Sequence, residues 1–185
     1  WLADRSLAAV QNEAKASGMA VGLIADLAVG IDPGGSDAWS LQGAVLEGLT
    51  IGAPPDLLGP SGQNWGLTSF SPRGLRQSAF APWIATIRTA LRHAGGIRID
   101  HAFGLARLWV VPAGAAASEG AYLSYPFEDL LRILAIESHR AGAVIVGEDL
   151  GTLPPGFVEP MVERAMFGMR VLWFERDEDG AFISA

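Results

Sequence analysis

Residues 97–100 read Ile-Arg-Ile-Asp, and residues 143–148 read Ala-Val-Ile-Val-Gly-Glu. Each is a short run that follows glycine and ends on a carboxylate. The second run is apolar up to its Glu, and such continuous apolarity is typical of a strand buried on both faces of a parallel sheet. We therefore predict two neighbouring strands that end at Asp100 and Glu148.

Helical patterns alternate with such runs along the chain. Helices are predicted over residues 6–17, 75–94, 126–140 and 156–164, and further strands over residues 19–26 and 169–174. Pro82 lies inside the second helical pattern, so we expect a kink there or a late start near Ala81. Residues 28–72 are rich in Gly, Pro, Ser and Asp, and are interpreted as a long functional loop.

The alternation of strands and helices predicts an α/β fold with a parallel sheet and right-handed crossovers. In such folds the chemistry lies at the carboxyl ends of the strands. Four units with long loops favour part of a (β/α)8 TIM barrel over a complete doubly wound domain. Trp1 is not an initiator Met, so residues 1–185 are interpreted as the central part of a catalytic barrel domain, truncated at both ends.

Composition narrows the class of partner. The 20 acidic residues exceed the 13 basic ones, which gives a formal net charge of -7 and argues against a nucleic acid. No apolar run approaches the ~20 residues of a membrane-spanning helix. The absence of cysteine excludes a disulfide framework and is compatible with a cytoplasmic location. A neutral substrate such as a sugar fits this composition. The sequence does not define an oligomeric state.

The two strand-end carboxylates suit glycoside chemistry. Asp100 and Glu148 are 48 residues apart, yet they follow consecutive predicted strands, which lie ~4.8 Å apart in a parallel sheet. Two carboxyl groups so placed can approach the ~5–5.5 Å separation of a retaining glycosidase. The alternative is a pair of strand-end caps held by Arg98 or Arg107.

Residues next to these carboxylates are candidates for substrate binding. Arg98 lies two positions before Asp100, so both point to one face of the strand, where the guanidinium favours the ionised carboxylate. A structural ion pair is equally compatible with this spacing. His101 is either a scaffold residue or a substrate contact. Asp26, at the end of the strand predicted over residues 19–26, joins the candidate set.

The loop over residues 52–66 carries the groups that recognise sugars. Asp56, Gln63 and Asn64 supply hydrogen bonds to hydroxyl groups, and Trp65 supplies an aromatic face for a pyranose ring. The alternative is an ordered surface loop in which Trp65 is buried as a plug. No metal site is predicted, because the three histidines, His93, His101 and His139, lack metal-ligand spacing.

Five motifs resemble those of the 4-alpha-glucanotransferases of the amylomaltase type, within the alpha-amylase superfamily, and favour the longer bacterial disproportionating enzymes. They are Gly-Ala-Pro-Pro-Asp (52–56) with Gly-Gln-Asn-Trp-Gly (62–66), Arg-Ile-Asp-His (98–101), Arg-Leu-Trp-Val-Val-Pro (107–112), Gly-Glu-Asp-Leu-Gly (147–151) and Arg-Val-Leu-Trp-Phe (170–174). The resemblance implies barrel strands three to six. It also implies α-1,4-glucans and maltooligosaccharides as substrates, with no metal or organic cofactor.

The resemblance also implies roles for individual residues. Asp100 would be the nucleophile and Glu148 the general acid and base, while Arg98 and His101 would position the reacting groups. A lid over the glucan would contain Asp56, Gln63 and Trp65, and the family's third carboxylate would lie outside this chain. An α-glucan hydrolase on the same barrel and a non-catalytic sugar-binding fragment remain alternatives.

Two positions depart from the family pattern. Leu57 and Leu58 replace an aromatic pair that many relatives have after Pro-Pro-Asp, so one stacking contact with sugar is not expected here. Leu67 and Thr68 follow Trp-Gly where relatives usually have a proline close by, and this change predicts a looser lid.

Overall fold

A computed structural model describes residues 1–57 and 59–183, so Leu58 lies outside the described residues. Its helices are α1 (Leu2–Ala16), α2 (Ser36–Ser40), α3 (Pro72–Gln77), α4 (Ala81–Leu91), α5 (Phe127–Ala141) and α6 (Val158–Val162). Its strands are β1 (Ile24–Leu27), β2 (Leu49–Ala53), β3 (Gln63–Leu67), β4 (Gly96–Ile99), β5 (Arg107–Pro112), β6 (Ala121–Ser124) and β7 (Val144–Gly147). Short 3-10 turns cover Gln42–Ala44, Ala102–Leu105, Ala117–Glu119 and Leu172–Phe174.

The predicted parallel sheet is present, with strand order β1-β4-β7. Ile97 pairs with Ala25 on one side and with Ile145 on the other, and the register continues without a shift to the carboxyl ends of the strands. The α/β fold class predicted from the sequence is therefore confirmed in its coarse form.

Helices α4 and α5 cover one face of this sheet. Ile97, Ile99 and Ile145 point towards the helices and form one core with their apolar side chains, which are Trp83, Ile87 and Leu91 on α4 and Leu130, Leu131 and Leu134 on α5. On α5 these apolar positions recur every three or four residues, so they form a stripe along one side of the helix. The burial of that stripe fixes the helix pair against the sheet.

The opposite face of the sheet differs from the expectation of burial on both faces. Ile24 is 51% exposed, and Asp26 and Arg98 stand beside it on the same face. Within the described residues no helix covers this face, which leaves charged side chains on it.

The helix predicted over residues 75–94 is interrupted near Pro82, as expected. Residues 75–94 divide into α3 and α4, and Phe80 between them has a left-handed backbone with φ of 60°. The later helix begins at Ala81, with Pro82 in its first turn, where a missing N–H leaves no helical hydrogen bond unmade. The predicted late start is confirmed.

An antiparallel sheet has the strand order β3-β2-β5-β6. Strands β2 and β3 lie within residues 28–72, so the interpretation of that stretch as one long loop was wrong, and β5 and β6 lie after Asp100, where no element was predicted. The pairing is long-range: Ile51 on β2 lies opposite Val110 on β5, and Ile51 is fully buried. Gly52 is required at the β2–β3 contact, since a Cβ there would overlap the backbone carbonyl of Gln63.

The strand predicted over residues 169–174 is also absent. Phe167 makes a single parallel bridge to Val146, and the chain then turns away. The carboxylate of Asp149 accepts the N–H of Met169 at 2.7 Å and lies where a side chain at Gly168 would stand. After this turn the apolar run is not buried, and Trp173 is 69% exposed.

Among the described residues, no helix combines the length and the apolar composition that crossing a membrane requires.

The two faces of α5 give a matched test of the fold. Leu134 is fully buried against the sheet, whereas Ile136 is 50% exposed. We expect Leu134→Ala to lower the free energy of unfolding by about 2–5 kcal/mol, because it leaves a cavity in the core. Ile136→Ala should change it by no more than about 0.5 kcal/mol. Denaturant unfolding of both variants measures this, and equal losses would contradict the packing.

Candidate active site

The register of the parallel sheet brings the strand-end carboxylates to one edge. Ile99 pairs with Gly147, so Asp100 and Glu148 follow paired positions on neighbouring strands. The hydrogen-bond ladder continues through them, since Asp100 donates its N–H to the carbonyl of Leu27 and Glu148 donates to that of Ile99, both at 2.9 Å. The two residues therefore stand on backbone that the sheet holds rigidly.

Arg98 connects two of the candidate carboxylates. Its Nη1 donates to Asp26 Oδ1 at 2.7 Å, and its Nη2 donates to Asp100 Oδ1 at 2.9 Å. The predicted shared face of Arg98 and Asp100 is therefore confirmed, and Asp26 joins from β1 because it pairs with Arg98. The hydrogen bond that Arg98 donates to Asp26 is the main reason that the pKa of Arg98 is raised, with burial opposing the shift and Asp100 adding to it.

Glu148 is held by backbone N–H groups. His101 donates its N–H to Glu148 Oε2 at 2.9 Å, and Leu150 donates to Glu148 Oε1 at 3.1 Å. The left-handed backbone of His101, with φ of 50°, accompanies the first of these contacts. Within the described residues Glu148 has no ion pair, whereas Asp100 has one to Arg98. The two candidate catalytic carboxylates thus have different surroundings.

The ring of His101 is packed between two aromatic side chains. Its centroid is 5.2 Å from that of Trp65 in an edge contact, and 3.9 Å from that of Phe103. Burial lowers the pKa of His101 to about 4, although the charge of Asp100 opposes this shift. Near neutral pH the imidazole is uncharged, so it can accept or donate one hydrogen bond without adding charge to the site.

The hairpin of β2 and β3 brings the predicted sugar-binding residues into this region. Trp65 is half-buried, so it is neither a free surface residue nor a fully buried plug. Its Nε1 donates to Gln63 Oε1 at 2.9 Å, so a side chain of the same hairpin orients the indole ring. Asp56 lies in the loop between the two strands, where it is exposed and accepts the N–H of Gly59.

The departures from the family pattern fall on the same hairpin. Leu57 is fully exposed in the loop. Leu67 is part of β3 and pairs with Ile51, so the strand continues through the position after Trp-Gly.

Sequence reasoning missed three contributors to this site. Met169 lies with its sulfur 3.3 Å from Arg98 Nε, and Asp149 holds the backbone of Met169 in that place. Phe103, in the 3-10 turn after His101, supplies the second ring against the imidazole. The only sequence signal for them was adjacency: Asp149 follows Glu148, and Phe103 comes two residues after His101.

The buried imidazole has a testable titration. We expect His101 to take up a proton only near pH 4, whereas an unfolded chain would do so near 6.5. Its folded pKa is the lower one, so His101 favours folding above pH 6.5, and this stability is lost as the pH falls from 6.5 towards 4. An NMR titration of the imidazole, assigned by comparison with His101→Asn, measures it. A midpoint near 6.5 would contradict the burial.

Comparisons with known proteins point to one family. A family profile described as 4-alpha-glucanotransferase matches residues 1–185. The 4-alpha-glucanotransferase of Mycobacterium tuberculosis is 46% identical over 179 residues, which are 97% of this chain and 25% of that protein. The 4-alpha-glucanotransferase of Haemophilus influenzae is 45% identical over 174 residues, or 94% of this chain and 25% of that protein.

Solved structures support the same relationship. The crystal structure of amylomaltase from Corynebacterium glutamicum superimposes with a TM-score of 0.92 at 43% identity, covering 96% of this chain and 25% of that one. Amylomaltase from Streptococcus agalactiae, in complex with acarbose, gives a TM-score of 0.73 at 20% identity over 83% of this chain and 32% of that one, which supports the fold alone. This chain spans about a quarter of the length of the curated relatives named above. It belongs to the 4-alpha-glucanotransferase family.

Proposed function

We propose that the full-length protein containing this chain transfers segments of α-1,4-glucan from one glucan chain to another. The observation that carries the proposal is the register of β4 and β7, which puts Asp100 and Glu148 side by side at one sheet edge. Membership of the 4-alpha-glucanotransferase family supports the same reaction. The substrates would be α-1,4-glucans and maltooligosaccharides.

The reaction has two steps, each of which inverts the configuration of the anomeric carbon. In the first, a carboxylate oxygen of Asp100 attacks the anomeric carbon while Glu148 gives its proton to the glycosidic oxygen, and the bond to the leaving glucan breaks. In the second, Glu148 takes the proton from the acceptor's 4-hydroxyl group, whose oxygen attacks the anomeric carbon and releases Asp100. Two inversions leave the new linkage in the α configuration.

Arg98 supports Asp100 as the nucleophile. A nucleophilic carboxylate must be ionised, and a guanidinium at hydrogen-bonding distance favours that form. Arg98 also donates a hydrogen bond to Asp26, and this bond holds the guanidinium in the orientation that reaches Asp100. Asp26 and Arg98 would therefore position the nucleophile rather than react.

The hairpin residues would bind the glucan. Trp65 presents an aromatic ring next to His101, and Gln63 presents an amide that already orients that ring. Asp56 in the connecting loop would complete the lid. A pyranose ring combines an apolar face with peripheral hydroxyl groups, so this pairing of aromatic and amide groups suits it.

The remaining predictions concern the whole molecule. We propose that β1, β4 and β7 are neighbouring strands of a (β/α)8 barrel, strands three to five in its order. Residues 1–185 would form part of that catalytic domain. The face that carries Asp26 and Arg98 would then point into the barrel, which explains why no helix of the described residues covers it. A cytoplasmic location stays a prediction, as does the absence of a cofactor.

The roles of the two carboxylates can be separated with an activated donor such as a maltotriosyl fluoride. In the full-length protein, Asp100→Asn should abolish the covalent intermediate and transfer from either donor. Glu148→Gln should slow transfer from maltotriose by about 10²–10⁴-fold, yet largely spare the first step from the fluoride, which needs little protonation. Mass spectrometry of the trapped peptide and transfer kinetics give the measurements.

The matched controls are Asp129→Asn on α5, for Asp100→Asn, and Glu163→Gln just after α6, for Glu148→Gln. Each makes the same chemical change at an exposed carboxylate. A label on any residue other than Asp100 would refute the assignment of roles. Free glucose in place of longer glucans would identify a hydrolase, and binding of maltotriose without turnover would identify a non-catalytic sugar-binding protein.

Trp65→Ala tests the lid. Because Trp65 is only half-buried, we expect a smaller loss of stability than the about 3–5 kcal/mol of a core tryptophan. The kcat/KM of transfer should fall, because the indole ring of Trp65 that contacts His101 is lost. Trp109→Ala on β5 is the matched control: Trp109 is also half-buried, but it packs on Tyr122. Comparable kinetic losses in both variants would point to a purely structural role.

A further inference from the structure

A cavity of about 260 Å³ lies between the parallel sheet, α4 and the antiparallel sheet. Much of its wall is apolar, with Leu75, Trp83, Leu108 and Leu130 buried at its inner end. The lining also includes exposed Asp37 together with the half-buried His101 and Asp100.

The cavity lies on the helix side of the parallel sheet. Leu27 and Ile99, which pair with each other, line it. Because side chains alternate along a strand, these two point away from the face that carries Asp26 and Arg98. The cavity therefore extends along the side of the sheet opposite to Asp26 and Arg98, although its lining includes Asp100 and His101 of the proposed active site.

The polar side chains along the inner wall already have partners. Tyr125 donates its hydroxyl to the carbonyl of Phe70 at 2.7 Å, and Thr86 donates to that of Pro82 at 3.0 Å. Trp83 Nε1 reaches the carbonyl of Leu130 at 3.4 Å. A buried water needs two to four polar partners, and a sugar needs more, so the inner part of this cavity suits neither.

The volume limits the size of an occupant. An apolar cavity of ~150 Å³ holds a benzene ring, whereas pockets for drug-sized ligands start at ~300 Å³. The value here lies between the two. We propose that this cavity is a binding site for a small apolar ring, of the size of a substituted benzene. This inference does not depend on the proposed transfer reaction.

Fluorobenzene is a suitable probe, since its ¹⁹F resonance broadens and shifts on binding. Titrated against the full-length protein, it should bind saturably. Val29→Phe, in the cavity wall, should weaken binding at least about tenfold by filling the space. Ile136→Phe introduces the same ring on the exposed side of α5 and should leave the affinity within about twofold, within the range of neutral surface changes.

A second variant covers the case in which Val29→Phe does not fold. Leu105→Ala enlarges the cavity, so this variant should bind 1-fluoronaphthalene. The unaltered protein should bind the same probe at least about tenfold more weakly, a difference of about 1.4 kcal/mol in binding free energy. Circular dichroism and thermal unfolding establish that each variant is folded. The proposal is overturned if fluorobenzene shows no saturable binding, or if a folded Val29→Phe binds it as well as the unaltered protein.

Discussion

The guanidinium of Arg98 is the point on which the site depends, because it joins two strands of the parallel sheet and the residue proposed to react. Its Nη1 and Nη2 donate to Asp26 on β1 and to Asp100 at the end of β4, so one side chain fixes the positions of both carboxylates. Two carboxylates on adjacent strands would repel each other without such a cation. The parallel register places Asp26 opposite Arg98, and a shift by one residue would move either side chain to the helix side.

Local sequence patterns were sufficient to predict the parallel sheet and its edge. Apolar runs that end in a carboxylate, the two-residue spacing of Arg98 and Asp100, and the proline near Ala81 all act over a few residues. The antiparallel sheet could not be found in this way. Its pairs, such as Ile51 with Val110, form between distant segments whose glycines and prolines are typical of loops. Nor could local patterns show that residues 169–174 do not form a strand, where the N–H of Met169 donates to the side chain of Asp149 twenty residues earlier.

Glu148 shows where a sequence argument gave an incomplete account. The apolar run before Glu148 (residues 143–147) predicts a dry environment, which would favour the protonated form that a general acid needs. In the structure Glu148 is only half-buried, and its two oxygens accept backbone N–H groups. The case for Glu148 as acid and base therefore rests on its place beside Asp100 and on the family, and the fluoride-donor experiment is the test that does not presuppose dryness.

His101 connects the hairpin to this carboxylate through two different parts of one residue. Its backbone N–H binds Glu148, while its ring packs against Trp65 on β3. The left-handed backbone of His101 is uncommon for a residue other than glycine, so the surrounding contacts must hold it in place. The lowered pKa keeps the ring uncharged at neutral pH, and an uncharged ring can remain between Trp65 and Phe103 without the cost of burying a cation. His101 therefore joins the hairpin that carries Trp65 to Glu148 through the contacts of a single residue.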